Sequence, residues 1–330
     1  MAATSRAMVC GLGASGVAAA RLLRAEGADV LAVDERATPE SRRSAAALEA
    51  LGCAVALGAS APPAGNFDVA VVSPGLPVDG AFLSEVRRRG IPLLSEMELG
   101  WSRFRSRTIA VTGSNGKSSV VKALAECLEA SGPRAVPCGN YGLPVCQAVL
   151  DAPDAAWLVI EASSFQLETC ADFRPDVAVL MNVLPNHLDR HGTLEAYARL
   201  KARLFARQRP GDLALTPPEW QGRFREWSGG QGAWRTFGTD AACDFRHAPH
   251  RLAARGEAGI DVAGAYFDNE VLGPNAAALY GAALAAGVPA AVVAATLRAF
   301  KPLPHRAEPV GEYGGVRYVN DSKATNLSAL

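Results

Sequence analysis

One stretch constrains this chain more than any other: Thr108–Val121, which reads TIAVTGSNGKSSVV. An apolar run, Ile109-Ala110-Val111, ends in Thr112-Gly113-Ser114-Asn115-Gly116-Lys117-Ser118-Ser119, and a helix-like segment, VVKALAECLEA, follows. Strand, glycine turn and helix in that order aim backbone N–H groups and a helix N-terminus at an anion. Lys117 is spaced to reach the outer phosphates of a nucleotide, and the Ser118 hydroxyl to ligate Mg²⁺. The strict pattern G-x-x-x-x-G-K-[ST] asks for glycine at position 111, where this chain has Val111. The loop is therefore a variant of that pattern. The competing reading, a plain strand–turn–helix joint with a surface lysine, leaves Gly-Lys-Ser after a β-run without a use.

A second glycine turn lies upstream. Residues 7–13 (AMVCGLG) read as a buried strand, and Gly11-Leu12-Gly13-Ala14-Ser15-Gly16 is G-x-G-x-x-G. A helix (VAAARLLRAEG) and a strand ending at Asp34 follow, which completes the Rossmann fingerprint. That pattern places a nucleotide or phosphate at the helix N-terminus without choosing NAD. Further β/α alternation runs through AVALG, FDVAVVSPG, a helix over 79–89 and IPLLS. Ser73-Pro74-Gly75 closes a strand, where open α/β sheets bind ligands, although turn chemistry explains Ser73 equally well. The first domain is expected to span 1–95. The stretch 96–107 (EMELGWSRFRSR) reads as a polar linker with a short helix.

The central domain is expected over 96–302, with strands near 156–164 and 176–183, a helix over about 193–208, short strands within 210–270 and a helical pair over 275–300. A third unit begins at 303, where GVRYVNDSKATN reads as a strand running into a turn. About 25 residues cannot bury a core of their own, so this unit is expected to be incomplete. Together these elements predict an α/β protein: an N-terminal Rossmann-like domain, a central P-loop-type α/β domain, and the start of a third.

Charge and cysteine content narrow the classes of partner. Lys+Arg and Asp+Glu both number 33, which gives no basic surplus for nucleic acid or anionic membrane. Seven cysteines are scattered without a C-x-x-C, which predicts reduced core thiols and a cytoplasmic compartment. Apolar runs fall short of the roughly 18–20 residues of a membrane span. Gly11, Gly13 and Gly16 interrupt the one stretch that imitates a signal peptide.

Candidate chemistry concentrates in the central region. Glu161 ends the apolar strand Val159-Ile160-Glu161, where a metal beside a phosphate loop needs a ligand; a solvent-facing edge carboxylate is the alternative. His187 and His191 have H-x-x-x-H spacing, but Leu188 stands where a zinc protease carries its glutamate. His187 suits a metal or phosphoryl contact, or a structural hydrogen bond. Lys201, read alone, is a solvated helix lysine. The combination predicts metal-assisted phosphoryl transfer from ATP, with the acceptor undetermined.

At this point the chain resembles the Mur ligase family, and within it the D-glutamate-adding branch. TGSNGKSS is similar to that family's TGTNGKST, and Gly139-Asn140-Tyr141-Gly142-Leu143-Pro144 to its GNIGLP. Glu161–Glu168 resembles E-x-SSFQLE, and Asn182–Arg190 with Tyr197-x-x-x-Lys201 resembles NV-x-x-DH-x-DR and Y-x-x-x-K. Pro304-His305-Arg306 and Asn320–Asn326 match PHR and NDSKATN. Ser114 and Ser119 replace threonines and keep the hydroxyl, whereas Asn186 replaces an acid.

The resemblance implies that ATP phosphorylates the carboxylate of UDP-N-acetylmuramoyl-L-alanine and that D-glutamate attacks the acyl phosphate, with Mg²⁺ as cofactor and a monomeric enzyme. It implies catalytic roles for Lys117, His187, Lys201 and Asn140. ATP would meet Gly113, Asn115, Gly116, Lys117, Ser118, Ser119, Asn275, Arg306, Asp321 and Lys323. The UDP substrate would meet Ala14, Ser15, Asp34, Arg36, Ser73, Gly75, Asn140 and Ser163. Mg²⁺ would be held by Ser118, Glu161, His187 and a carbamylated Lys201, since a carbamate, unlike an ammonium, is a hard oxygen ligand. It also implies a further Rossmann-like domain for D-glutamate, without which nucleotide and UDP-substrate binding are expected with weak or no ligation. The alternatives are a sister ligase adding another amino acid to a muramoyl or folate acceptor, a nucleotide-binding protein without ligation, and an NAD-dependent oxidoreductase. Hydride transfer has no use for the phosphate loop or Glu161.

Overall fold

A computed structural model describes residues 4–305 and 308–323. In chain order the elements are β1 (Arg6–Cys10), α1 (Ala14–Ala25), β2 (Asp29–Asp34), α2 (Pro39–Glu49), β3 (Ala54–Leu57), β4 (Val69–Val72), α3 (Ala81–Arg88), β5 (Leu93–Ser95), α4 (Glu96–Arg103), β6 (Arg107–Thr112), α5 (Lys117–Ala130), β7 (Ala135–Gly139), α6 (Val145–Asp151), β8 (Trp157–Glu161) and α7 (Ser164–Leu167). There follow β9 (Val177–Leu180), α8 (Leu188–His191), α9 (Leu194–Ala202), β10 (Leu213–Thr216), α10 (Pro218–Ser228), β11 (Ala233–Gly238), β12 (Phe245–Ala248), β13 (Arg251–Ala254), β14 (Ile260–Asp261), α11 (Gly273–Ala285), α12 (Ala290–Ala299), β15 (Glu308–Tyr313) and β16 (Val316–Asn320).

The chain gathers into two compact units, Met1–Arg107 with Val136–Arg174, and Thr108–Ala135 with Pro175–Leu330. The first unit holds a five-stranded parallel sheet in the order β3-β2-β1-β4-β5. Both of its faces are covered. Ala7 and Val9 of β1 enter one apolar core while Met8 and Cys10 enter the other, the period-2 alternation of a strand buried on both sides. The strand order reverses between β1 and β4, and the C-terminal ends of those two strands carry the Gly11–Gly16 turn and Ser73, the crevice where doubly wound sheets bind ligands. The turn is closed by backbone contact. Gly11 has φ +89°, and a Cβ on Gly16 would overlap the Gly11 carbonyl oxygen. Gly16→Ala is expected to cost about 2 kcal/mol through overpacking, read as a lower denaturant midpoint at unchanged slope.

The short helix expected in 96–107 is α4, and it is packed into the first unit rather than lying exposed as a linker would. Ser95 Oγ accepts from Glu98 N at 3.0 Å and caps α4, whose residues 96–100 are all buried. Its polarity misled because both carboxylates are spent on backbone N–H groups. Glu96 accepts from Cys146 N at 2.6 Å, and Glu98 from Ala171 N at 2.7 Å and Asp172 N at 2.5 Å. α4 and α6 pack on each other and on α1, which keeps α4 in the first compact unit.

In the second unit the strands run β14-β13-β12-β11-β10-β9-β6. β6 through β12 pair in parallel, and β12, β13 and β14 form an antiparallel edge. α5, α11 and α12 pack together, with α11 laid on the sheet. The expected short strands of 210–270, the helical pair of 275–300 and the strand at the start of the third unit are all present, the last as one arm of the hairpin β15–β16. Among the described residues no helix is long and apolar enough to cross a membrane.

Candidate active site

In the second unit, β6 runs straight into the phosphate loop and α5 leaves it. Gly113 (φ +148°) leaves no room for a side chain, since a Cβ there would lie 2.8 Å from Met181 Cβ. Gly116 (φ +85°) is the left-handed N-cap of α5, and a Cβ on it would lie 2.8 Å from the Asn275 side-chain nitrogen. Asn275, nearly buried near the start of α11, thus stands beside the loop.

Two side chains hold the loop in shape. Asn182 Oδ1 accepts from Ser114 N at 3.0 Å and Asn115 N at 2.9 Å. Ser114 Oγ donates to Leu184 O at 3.0 Å, accepts from Leu184 N at 2.9 Å, and lies 3.4 Å from the Tyr197 hydroxyl. Neither residue was among the expected site residues. The available signal was position: Asn182 follows β9, the strand paired with β6, by two residues.

Two cations converge on the same loop. Lys117 Nζ donates to Gly113 O and Ser114 O, both at 2.9 Å. Lys201 Nζ donates to Gly113 O at 3.0 Å and sits 4.3 Å from the centre of the Tyr197 ring. With only 1% of its surface exposed, Lys201 is the opposite of a solvated helix lysine. Carbonyl oxygens accept from both amines, and the Tyr197 face adds to Lys201. The field of both lysines reaches the histidines. Desolvation above all, then the Lys201 and Lys117 charges, hold the His187 imidazole below its ordinary pKa against the opposing pull of Asp189. Desolvation, with Arg190, His187 and Lys201, brings His191 down to about 4. Both rings are therefore neutral at pH 7, the form that binds metals. His187 is exposed with φ +53°, and His191 stacks on Tyr197. Ser118 and Ser119 are buried in the first turn of α5. Asp321 and Lys323 follow β16, and Lys323 N donates to His305 O at 3.2 Å. Arg306 lies outside the described residues.

In the first unit, Ala14 and Ser15 open α1, whose N-terminus has no side-chain cap. Asp34 Oδ2 accepts from Leu12 N at 2.8 Å and Oδ1 from Arg36 N at 2.9 Å, while Ser73 Oγ donates to Gly11 O at 3.0 Å. Asp34 and Ser73 thus brace the glycine turn, and Gly75 sits in open space. Asn140 N donates to Glu161 O at 2.9 Å, and Asn140 Nδ2 to Glu161 Oε1 at 2.7 Å. Ser163 caps α7 in a reciprocal pair with Gln166. Glu161 is 2% exposed, which excludes the solvent-facing alternative, and its Oε2 is buried with no hydrogen-bond partner. A buried carboxylate oxygen without a hydrogen-bond partner fits a cation ligand.

Comparison with known proteins identifies the family. Residues 5–95 match the Mur ligase MurD-like N-terminal domain and residues 111–268 the Mur ligase middle domain. The UDP-N-acetylmuramoylalanine–D-glutamate ligase of Acidobacterium capsulatum is 37% identical over 98% of this chain and 72% of its own length. The ligase of the same name from Gloeobacter violaceus is 39% identical over 97% of this chain and 72% of its own length. Among solved structures, the UDP-N-acetylmuramate:L-alanyl-gamma-D-glutamyl-meso-diaminopimelate ligase of Neisseria meningitides superposes with a TM-score of 0.60 at 19% identity, over 91% of this chain and 99% of that one. The MurF ligase of Thermotoga maritima, solved with ADP, gives 0.57 at 18% identity, over 89% and 68%; at such identity the likeness speaks for the fold alone. Identity sustained along nearly the whole sequence is a stronger tie than any single motif, and it shows that the chain belongs to the Mur ligase family.

Proposed function

We propose that this chain is an ATP-dependent ligase that adds D-glutamate to UDP-N-acetylmuramoyl-L-alanine in peptidoglycan precursor synthesis, acting in the cytoplasm as a monomer. The observation that carries the reading is the 37% identity to a ligase of that specificity over 98% of the chain. The family division into 1–95, 96–302 and 303–330 belongs to the same reading.

A carboxylate is a poor electrophile, so the reaction begins with its activation. A carboxylate oxygen of the acceptor attacks the γ-phosphorus of ATP, and ADP leaves. The D-glutamate amine then attacks the acyl carbon, and the tetrahedral adduct expels phosphate and loses a proton to give the amide. Lys117 and the loop N–H groups oppose the charge that develops on the transferring phosphoryl group. Asn275 and the described Asp321 and Lys323 flank the nucleotide in this reading, and Arg306 does so by resemblance alone. Ser118, Glu161, His187 and a carbamylated Lys201 would be the donors for Mg²⁺, which would neutralise phosphate charge. Ala14 and Ser15 N–H groups take the pyrophosphate of the UDP substrate, Arg36 lies by its base, and Asp34 and Ser73 keep that turn in shape. Asn140 and Ser163 belong to the acceptor side.

Phosphate release from ATP tests the proposal. Release is expected only with both UDP-N-acetylmuramoyl-L-alanine and D-glutamate present. Equal release with L-glutamate or with a folate acceptor would overturn it.

A further inference from the structure

The mechanism makes no use of α4, yet this helix carries two fully buried carboxylates and meets another backbone at close range. Glu96 and Gly100 stand one turn apart, so both face the same side of α4. That side meets the start of α6. Glu96 Oε1 accepts from Cys146 N at 2.6 Å, and Cys146 Sγ donates to Glu96 O at 3.3 Å. Gly100 permits backbone contact: a Cβ there would lie 2.6 Å from Cys146 N and 2.7 Å from Val145 C. Helices that touch through a glycine cannot slide without losing the contact. Glu98, on the same helix, grips residues 171 and 172 through their N–H groups.

The turn that α4 holds is the exit of the Asn140 loop. Pro144 is the N-cap of α6, and the loop before it is closed by Gly139 N donating to Leu143 O at 2.8 Å and by a bridge between Cys138 and Leu143. Gly142 (φ +81°) comes so close to Pro137 that a Cβ would lie 2.7 Å from its carbonyl oxygen. The short loop therefore has one shape, and its orientation follows the start of α6. At its tip, Asn140 is bonded to Glu161 through both backbone and side chain.

We propose that α4 is a clamp, with Glu96 and Gly100 as positioning residues that fix the first turn of α6 and thereby the Asn140 loop against Glu161. The activity readout rests on the ligase reading above, whereas a hydrogen-exchange readout does not.

Two measurements test it. Amide hydrogen exchange of residues 139–146 needs no substrate. Gly100→Ala is expected to speed exchange there at least tenfold while the strands β1 and β4 stay protected, and Glu96→Ala is expected to do the same. Glu96→Gln, whose amide oxygen can still accept from Cys146 N, stays within about twofold of the parent. Unchanged exchange in Gly100→Ala, or acceleration spread evenly through the unit, overturns the clamp. Should Gly100→Ala not fold, Glu96→Ala against Glu96→Gln decides in its place. The second measurement is a double-mutant cycle on phosphate release. Gly100→Ala is expected to lower kcat by about tenfold or more in the parent, since misplacement of a substrate-side group is costly. In an Asn140→Ala background it should change kcat less than twofold, because the residue it positions is gone. An equal factor in both backgrounds overturns the proposal. With a parent that releases no phosphate, the exchange result decides alone.

Discussion

Lys117→Ala is expected to lower phosphate release by about 10³-fold or more, with the melting temperature changed by only a few degrees. The side chain has no place in an apolar core. Its Nζ donates to two carbonyl oxygens of its own loop, Gly113 and Ser114. Gly113 O keeps its bond from Lys201 when the Lys117 ammonium is removed, so the fold loses little. What is lost is a charge aimed at the place where negative charge gathers in phosphoryl transfer. Lys117→Arg should not restore the rate, because a planar guanidinium on a different stem cannot satisfy the same two carbonyls and the same phosphate. A drop smaller than tenfold, with nucleotide affinity unchanged, would remove Lys117 from the transfer step.

Glu96 leads to the second large effect, on stability. Burial pushes its carboxyl from the ordinary 4.5 up to about 7, against the lowering effect of the hydrogen bonds from Cys146. Its Oε2 is buried and has no hydrogen-bond partner, so the ionised form is poorly served. The folded chain then holds a proton that the unfolded chain has released, and stability falls as pH rises from about 4.5 to about 7 and levels off above. The loss approaches about 3 kcal/mol for a shift of this size. The neighbouring thiols do not share that window. Burial, followed by the Glu96 charge, drives the Cys138 and Cys146 thiols well above their ordinary values, and Arg103 acts only to moderate Cys146. His187 and His191, both shifted downward, give a slope of the opposite sign below their ordinary value of 6.5. The difference between the parent and Glu96→Gln isolates the carboxyl. Glu96→Gln should gain on the parent as pH rises through that range and be the more stable protein at pH 8. Parallel stability curves in denaturant titrations would refute the assignment.

The two glycine turns were legible because each is a local device. A residue that must adopt φ +85° or +89°, or make way for a neighbouring backbone, announces itself as glycine in the sequence. Strand and helix periodicity around them was equally local. Glu161 and Lys201 were legible as candidates but not as buried groups, since burial depends on what other elements bring. Lys201 lies on an ordinary-looking helix and becomes an interior cation only because the loop carbonyl and the Tyr197 face meet it there. The burial of the short helix in 96–107 was hidden for the same reason. Two glutamates in a short polar segment look like solvent-facing residues until their hydrogen-bond partners, some fifty to seventy residues away, are in place.

By itself the sequence determined the α/β class, the two anion-binding turns and the chemistry they can serve, because spacing along the chain dictates which N–H groups and side chains share a turn. Only the tertiary structure decided what Asp34, Ser73, Asn182 and Ser114 are for. Asp34, Ser73 and Asn182 spend polar atoms on the backbone of a glycine loop, and Ser114 ties its own loop to the Leu184 backbone. Only the tertiary structure showed, likewise, that α4 carries its carboxylates into the interior. A hydrogen bond between residues distant in sequence leaves no local signature, since either partner alone is compatible with solvent, and only the packed fold withdraws that option.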